Sequence, residues 1–262
     1  MTAVEAIHAG PLPVRRQKQL RDIVLQEGVV RLQDLCRRLG ASPATIRRDL
    51  LELETHGRLR RVHGGAVSVE AHPDEPVFED KAALAAREKR GIAGAALALV
   101  TPGSTVYLDG GSTVLELARL LAERTDVTVV TNSLQAAIEL SRRGPRLILL
   151  GGQLRRLSQT LVGPLTQTVL DQLHVDLAFM GTYGLSPEQG LTTTDPDEAF
   201  TKRAVQARAG VVVVMADSRK LGTVSFARSG DLDDVDVLVT DRRADPKLLR
   251  ALRKRIRKVI LA

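Results

Sequence analysis

Two adjacent arginines, Arg47 and Arg48, stand in the stretch SPATIRRDL, Ser42 to Leu50. A guanidinium can bond bidentately to guanine O6 and N7, or clamp a phosphate. Three more arginines, Arg58, Arg60 and Arg61, follow in RLRRVHGGAVSV, with His63 at its centre. A second group of residues has a different chemistry. Five loop-like stretches, DGGST (109–113), TNS (131–133), GGQ (151–153), GTYG (181–184) and ADSRKLG (216–222), are small, hydroxyl-rich and glycine-rich. Gly110 and Gly111 let backbone N–H groups approach an anion, and Ser112 and Thr113 add hydroxyls at a helix start. Neither a Walker loop nor G-x-G-x-x-G is present, so a nucleotide is not implied. One such loop is commonly just a turn. Several converging loops point to a small, polar, phosphorylated ligand.

Three short helices must position the first arginines. In Val14–Glu27, Leu20, Ile23 and Val24 share a face, and Gly28 follows. In Arg31–Leu39, Leu32, Leu35, Cys36 and Leu39 form an apolar stripe at i, i+3, i+4 and i+7, closed by Gly40. In Pro43–His56 the stripe is Ile46, Leu50 and Leu53. Ser42 is a good N-cap, and Pro43 sits at N1, where its missing N–H costs nothing. With that stripe inside, Arg48 points away from it, and Arg47 and Thr45 lie on its flanks. Two helices joined by a tight turn, the second showing polar and basic groups at its start, is a helix-turn-helix. HGG at 63–65 between β-prone runs reads as a hairpin, a wing whose arginines lie along a phosphate backbone. The alternative for each arginine is a surface residue with an acidic neighbour. Leu51 also points outward, and packing under the following segment is the expectation for it. Asp49, beside the inner face, is expected to pair with an arginine of a neighbouring helix. Cys36 reads as a small buried core residue rather than a redox sensor.

Glu70–Asp80, EAHPDEPVFED, has two prolines and five acidic residues and reads as a linker. An Ala-rich helix is expected over 81–99. Beyond it, strand-like runs at Thr105–Leu108, Val127–Val130, Leu147–Leu150, Leu177–Met180, Val211–Met215 and Val235–Val239 alternate with helical stretches. This is an α/β pattern with a mostly parallel buried sheet. Ligands bind at the carboxyl ends of such strands, where the five loops fall. Asp109 ends the first strand, placed to accept from sugar hydroxyls. Lys220 follows a strand end, within reach of a phosphate. Glu198 and Lys202, four apart on a helix, read from spacing alone as a surface pair. Arg250–Lys258 reads as a final helix with a solvated basic side, a second DNA contact being the alternative.

Charge separates these regions. Residues 1–65 hold 12 basic and 7 acidic residues; residues 250–262 hold 6 basic and none acidic. The whole chain is +7, so residues 66–249 carry −4. A basic module on a mildly acidic body implies a polyanion partner. Aromatics are 2% and Trp is absent, so the core must be aliphatic. No apolar run approaches the ~18–20 residues a bilayer crossing needs. The first 13 residues do not read as a secretory signal, and one cysteine allows no internal disulfide. The expectation is a cytoplasmic protein without a membrane partner, metal site or cofactor.

TIRRDLLELETHGRLRRVHGGA resembles the signature of the DeoR family of bacterial transcriptional regulators. LDGGST, VVTNS, LLGGQL, DEAFTKRA and ADSRKLG resemble that family's sensor domain, in the same order. The resemblance runs from about Arg15 to the C-terminus. It implies a winged helix-turn-helix (13–69), a linker (70–80) and an α/β sensor domain similar to ribose-5-phosphate isomerase (81–262). It also implies that Asp109, Gly111, Ser112, Thr113, Thr131, Asn132, Lys202 and Lys220 surround a phosphorylated sugar, and it brings Glu198 into the site. Gly110, Ser133, Gly151 and Gly152 of the same loops complete the candidate set. The chain departs from the family pattern at Ala41, usually bulkier; at Ser112, usually threonine; and at Arg219, usually serine. The expected function is a sugar-phosphate-responsive regulator of a carbohydrate operon, a repressor. It would bind double-stranded operator DNA as a homodimer or homotetramer assembled through the larger domain. The alternative is an isomerase-like enzyme with an appended DNA module, although no loop offers paired carboxylates or a His/Cys nucleophile.

Overall fold

The computed structural model describes residues 13–27, 29–55, 59–62, 64–67 and 78–262. Gly28, Arg58, His63 and residues 70–77 of the expected linker lie outside the described residues, as does the side chain of Arg60. The chain divides into two compact units, Met1–Glu75 and Pro76–Ala262.

The first unit contains α1 (Pro13–Glu27), β1 (Val29–Arg31), α2 (Leu32–Leu39), α3 (Pro43–Thr55), β2 (Arg60–Val62) and β3 (Gly65–Val67). Leu20 and Val24 of α1, Leu35 and Leu39 of α2, and Ile46, Leu50 and Leu53 of α3 bury one common core, the three stripes read from spacing. Leu59, Val30 and Ala66 close it from the wing side. β2 and β3 pair antiparallel as a hairpin with Val62 opposite Gly65. β1, of which the sequence reading gave only Arg31 to the second helix, pairs with the other edge of β3. Cys36 is only half-buried, packed against the edge of the core rather than within it. Leu51 is 49% exposed and does not pack under the wing.

The second unit runs α4 (Phe78–Ala83), α5 (Ala86–Leu97), β4 (Thr105–Leu108), α6 (Ser112–Leu121), β5 (Thr128–Thr131), α7 (Leu134–Leu140), β6 (Arg146–Leu149), β7 (Gln153–Arg155), β8 (Thr160–Val162), α8 (Pro164–Leu170) and β9 (Val175–Met180). It continues with β10 (Gly184–Ser186), β11 (Gly190–Thr193), α9 (Pro196–Gln206), β12 (Ala209–Met215), β13 (Ala227–Gly230), β14 (Val237–Thr240), α10 (Pro246–Leu252) and β15 (Lys258–Leu261). Seven strands form one parallel sheet in the order β15-β14-β12-β9-β4-β5-β6. Alternation along the strands fills both faces. Val106, Leu108, Val213 and Met215 pack on one side with Ile92, Leu117 and Leu121. Tyr107, Val212 and Val214 pack on the other with Val205 and Leu252. An antiparallel trio β10-β11-β13 and a hairpin β7-β8 lie outside this sheet.

Two expectations are corrected here. The single helix over 81–99 is two helices, broken at Leu84 and Ala85, where Ala85 adopts φ +52°. The first of them begins inside the expected linker, where Phe78 is buried in the core of the second unit. The basic segment 250–258 is not one helix. α10 is capped by Asp245 and ends at Leu252, and the alternating residues Lys258–Leu261 pair instead with β14. Arg250, Arg253, Lys254 and Arg257 are exposed, as a solvated basic side requires.

Candidate nucleic-acid interface and ligand site

The start of α3 is fixed by its cap. The Ser42 hydroxyl accepts from the Thr45 amide at 3.2 Å and meets the Thr45 hydroxyl at 2.9 Å. The helix is held down at Asp49, which is buried and bonded by Arg16 Nε at 2.6 Å. That leaves Arg47 and Arg48 exposed, and among the described residues neither has an ion-pair partner. Arg61 differs. Its guanidinium pairs with Glu54 at 2.6 Å, and its amide also donates to that carboxylate at 2.8 Å. The wing arginine that can be described is thus the surface residue with an acidic neighbour, committed to joining β2 to α3.

In the second unit the loops after β4, β9 and β12 meet at the carboxyl edge of the parallel sheet. Asp109 directly follows β4 and accepts from the Gly181 amide at 2.9 Å. Lys202, 3% exposed on α9, makes a short contact with the same carboxylate oxygen and donates to the Gly181 carbonyl at 3.0 Å. Glu198, one turn earlier, lies 3.4 Å from Lys202. The Glu198–Lys202 pair is therefore buried machinery, not the surface pair its spacing suggested. Burial disfavours the Lys202 ammonium, but Asp109 and Glu198 outweigh it and raise its pKa. The α9 start is capped by the Asp195 carboxylate at 2.8 Å from the Glu198 amide.

Lys220, on the single turn Ser218–Lys220 after β12, donates to the Thr182 carbonyl at 2.7 Å. Burial pulls its pKa down to about 8, with Lys81, Lys89 and Lys202 adding to the drop against the opposing pull of Asp217. Gly111, at φ +130°, turns the chain into α6. There the Ser112 hydroxyl meets the ammonium of Lys89 at 2.9 Å. Thr113 and Asn132 are buried, and each carries a side-chain oxygen without a hydrogen bond among the described residues. Buried polar atoms left in this state beside buried lysines have hydrogen-bonding capacity that a hydroxylated anion could use.

Other candidates have framework roles. Thr131 donates to the Leu108 carbonyl at 2.6 Å, and Ser133 caps α7. Gly110 lies against Thr160, and Gly152 against Thr166 and Val162, with no room for a side chain. Gly151 uses its carbonyl to accept from Thr166 at 2.8 Å. Arg219 is about half exposed and pairs with Asp217 at 2.9 Å, so it is not a free cation at this edge of the sheet.

Two buried cations were not anticipated. Arg155 of β7 lies 3.3 Å from both Asp195 and Glu198 and extends the polar chain from Asp109 through Lys202. Lys89 lies on α5 with Ile92, Ala93 and Ala96. A lysine at i before apolar residues at i+3, i+4 and i+7 was the signal that it points inward.

A three-helix unit with a β-wing is thus followed by a parallel α/β unit with buried lysines at the carboxyl edge of its sheet, the layout of a helix-turn-helix module attached to an α/β module. A family model for the DeoR-like helix-turn-helix domain matches residues 16–72, and one for the DeoR C terminal sensor domain matches 84–242. The HTH-type transcriptional regulator GlpR of Haloferax volcanii is 38% identical over 89% of this chain and 92% of its own. A putative aga operon transcriptional repressor of Escherichia coli O157:H7 is 36% identical over 94% and 93%. The chain belongs to the DeoR family of transcriptional regulators. A ribose-5-phosphate isomerase structure overlays in part, at 23% identity over 51% of this chain and 52% of that one, with a TM-score of 0.39. Both relatives are named as transcriptional regulators, which favours the regulator reading over the isomerase one. Among the described residues no helix is long and apolar enough to cross a membrane.

Proposed function

We propose that the protein is a repressor of a carbohydrate-metabolism operon, released or repositioned by a phosphorylated sugar. Thr45, Arg47 and Arg48 read the major groove, while Ser42 starts the reading helix. Arg58, Arg60 and His63 follow the backbone along the wing, with Arg61 as the brace between wing and helix. In the sensor, Ser112, Thr113 and Lys220 hold the phosphoryl group, and Asp109, Asn132 and Lys202 meet the sugar hydroxyls. The single observation that carries this reading is the pairing of charge at the sheet edge. Asp109, Glu198 and Lys202 form a compensated polar floor, while Lys220, beside them, holds its charge against burial and neighbouring lysines.

A regulator with one reading helix per chain reaches useful affinity by presenting two, so the working form is a homodimer or homotetramer assembled through the sensor unit. It works in the cytoplasm, where operator and sugar phosphates coexist. The ligand acts only through different affinities for two arrangements of the protein. Fluorescence anisotropy on DNA from upstream of its own gene, repeated with phosphorylated and free sugars, tests this. One phosphorylated sugar should shift a nanomolar curve where its free counterpart does not. Operator binding that no phosphorylated sugar alters would overturn the sensor half of the reading.

A further inference from the structure

Lys89 is 2% exposed and sits on the apolar face of α5, a costly place for an ammonium. Among the described residues no carboxylate pairs with it. Of its three hydrogens, one goes to the Ser112 hydroxyl at 2.9 Å and one, in a short contact, to the backbone carbonyl of Lys81. Ser112 is the first residue of α6, at the proposed phosphoryl position. Lys81 lies on α4, the first described helix of the sensor, into which the chain runs from the DNA-binding unit. Beyond Lys81 the helix breaks, and Ala85 takes a left-handed conformation before α5 begins. One buried ammonium therefore ties the loop that receives the ligand to the helix that follows the interdomain segment.

We propose that Lys89 is the positioning residue that reports anion occupancy at Ser112 to α4 through the Lys81 carbonyl. A phosphoryl oxygen is a stronger acceptor for an ammonium than a neutral carbonyl, because the bond is between opposite charges. An anion at the start of α6 draws the ammonium toward itself and loosens its hold on Lys81. A neutral sugar, lacking that charge, fills the hydroxyl end of the pocket without moving it. Burial, helped by the cations Arg219 and Lys81 and opposed by the more distant carboxylates Asp217 and Glu116, pulls the Lys89 pKa down to about 8. The inference rests on the reading of this pocket as a phosphorylated-sugar site.

The test uses the full chain, with inorganic phosphate and a panel of phosphorylated sugars as probes. Calorimetry gives binding, and hydrogen exchange of the peptide covering 78–85 gives the response of α4. In the wild type a binding anion should raise exchange in 78–85 severalfold. In Lys89→Met, which keeps the length of the side chain, the same anion should still bind, about tenfold more weakly, and leave 78–85 unchanged. Ser112→Ala cuts the other end of the link and should also mute the response, which keeps the test decisive if Lys89→Met does not fold. Anion binding that alters 78–85 equally in wild type and variants, or that leaves 78–85 unaltered in the wild type, overturns the inference. If no anion of the panel binds the wild type, the pocket reading fails first and takes this inference with it.

Discussion

Lys202 and Asp109 stand 93 residues apart in the chain and form a buried ion pair at the carboxyl edge of the central sheet. Removing Lys202 leaves the buried Asp109 carboxylate with the Gly181 amide but no counter-ion among the ion pairs of the described residues. Lys202→Met should therefore destabilise the sensor unit by about 3–5 kcal/mol in urea denaturation. Lys202→Met combined with Asp109→Asn should recover part of that loss, because no bare charge is left buried. Equal losses in the single and double variants would mean that the two charges are not coupled.

Gly181 connects the same two residues through its backbone and leaves no space for a side chain. A Cβ there would lie 2.7 Å from the Gly110 carbonyl and 3.6 Å from the Asp109 carboxylate. Gly181→Ala must push the β4 and β9 loops apart. Sugar-phosphate affinity should fall at least tenfold, with a stability loss of about 1–3 kcal/mol. Gly94→Ala on α5 is the control, since nothing lies within 4 Å of its Cβ position. Titration of both variants with the effector should separate them; identical curves would remove the close-approach argument.

Much of this arrangement was legible in the sequence, for physical reasons. The apolar stripes of α1 to α3 fixed which way Arg48 points, and strand runs followed by small polar loops located the sheet edge. What stayed hidden was partnership across the chain. Nothing local distinguishes Glu198 and Lys202 from a surface pair, because their burial depends on Asp109 and Arg155 arriving from distant strands. Arg61 looked like a phosphate contact until Glu54, seven residues earlier, was found beside it. Arg250–Lys258 reads as a final helix from its apolar face, but α10 stops at Leu252 and Lys258 starts a strand paired with β14, a partnership that nothing local in the sequence reveals.

The reading helix and its brace should respond differently to mutation. Arg48 is exposed and unpaired among the described residues, so Arg48→Ala should cost roughly 1–3 kcal/mol on the specific operator and leave folding intact. Arg61→Ala removes a partner of Glu54 rather than a sequence contact. It should weaken all DNA sequences alike by a small factor, through a loosened wing. Arg60→Ala should flatten the salt dependence by about one unit if its side chain meets a phosphate. Competition binding at several salt concentrations measures all three, and a wild-type specificity ratio for Arg48→Ala would remove it from the groove.

The buried lysines give the sensor a pH dependence of definite sign. Lys89 holds a proton with a pKa of about 8 in the fold, against ~10.4 in an unfolded chain. Between those values the unfolded state binds more protons, so the stability of the ligand-free protein should rise with pH from about 8 to about 10.4. Below about 8 the Lys89 charge is present in both states, and its burial cost is constant. Lys202 does not cancel this, because its raised pKa places its loss of stability above that window. Urea unfolding at pH 7.5 and 9.5 should show a gain in the wild type that is smaller in Lys89→Met by about 1–2 kcal/mol. Anion affinity should move in the opposite direction, weakening above about pH 8 as Lys89 and Lys220 lose their charge. A wild type and a Lys89→Met variant with superimposable stability curves would show that Lys89 is not held as an ammonium against its burial.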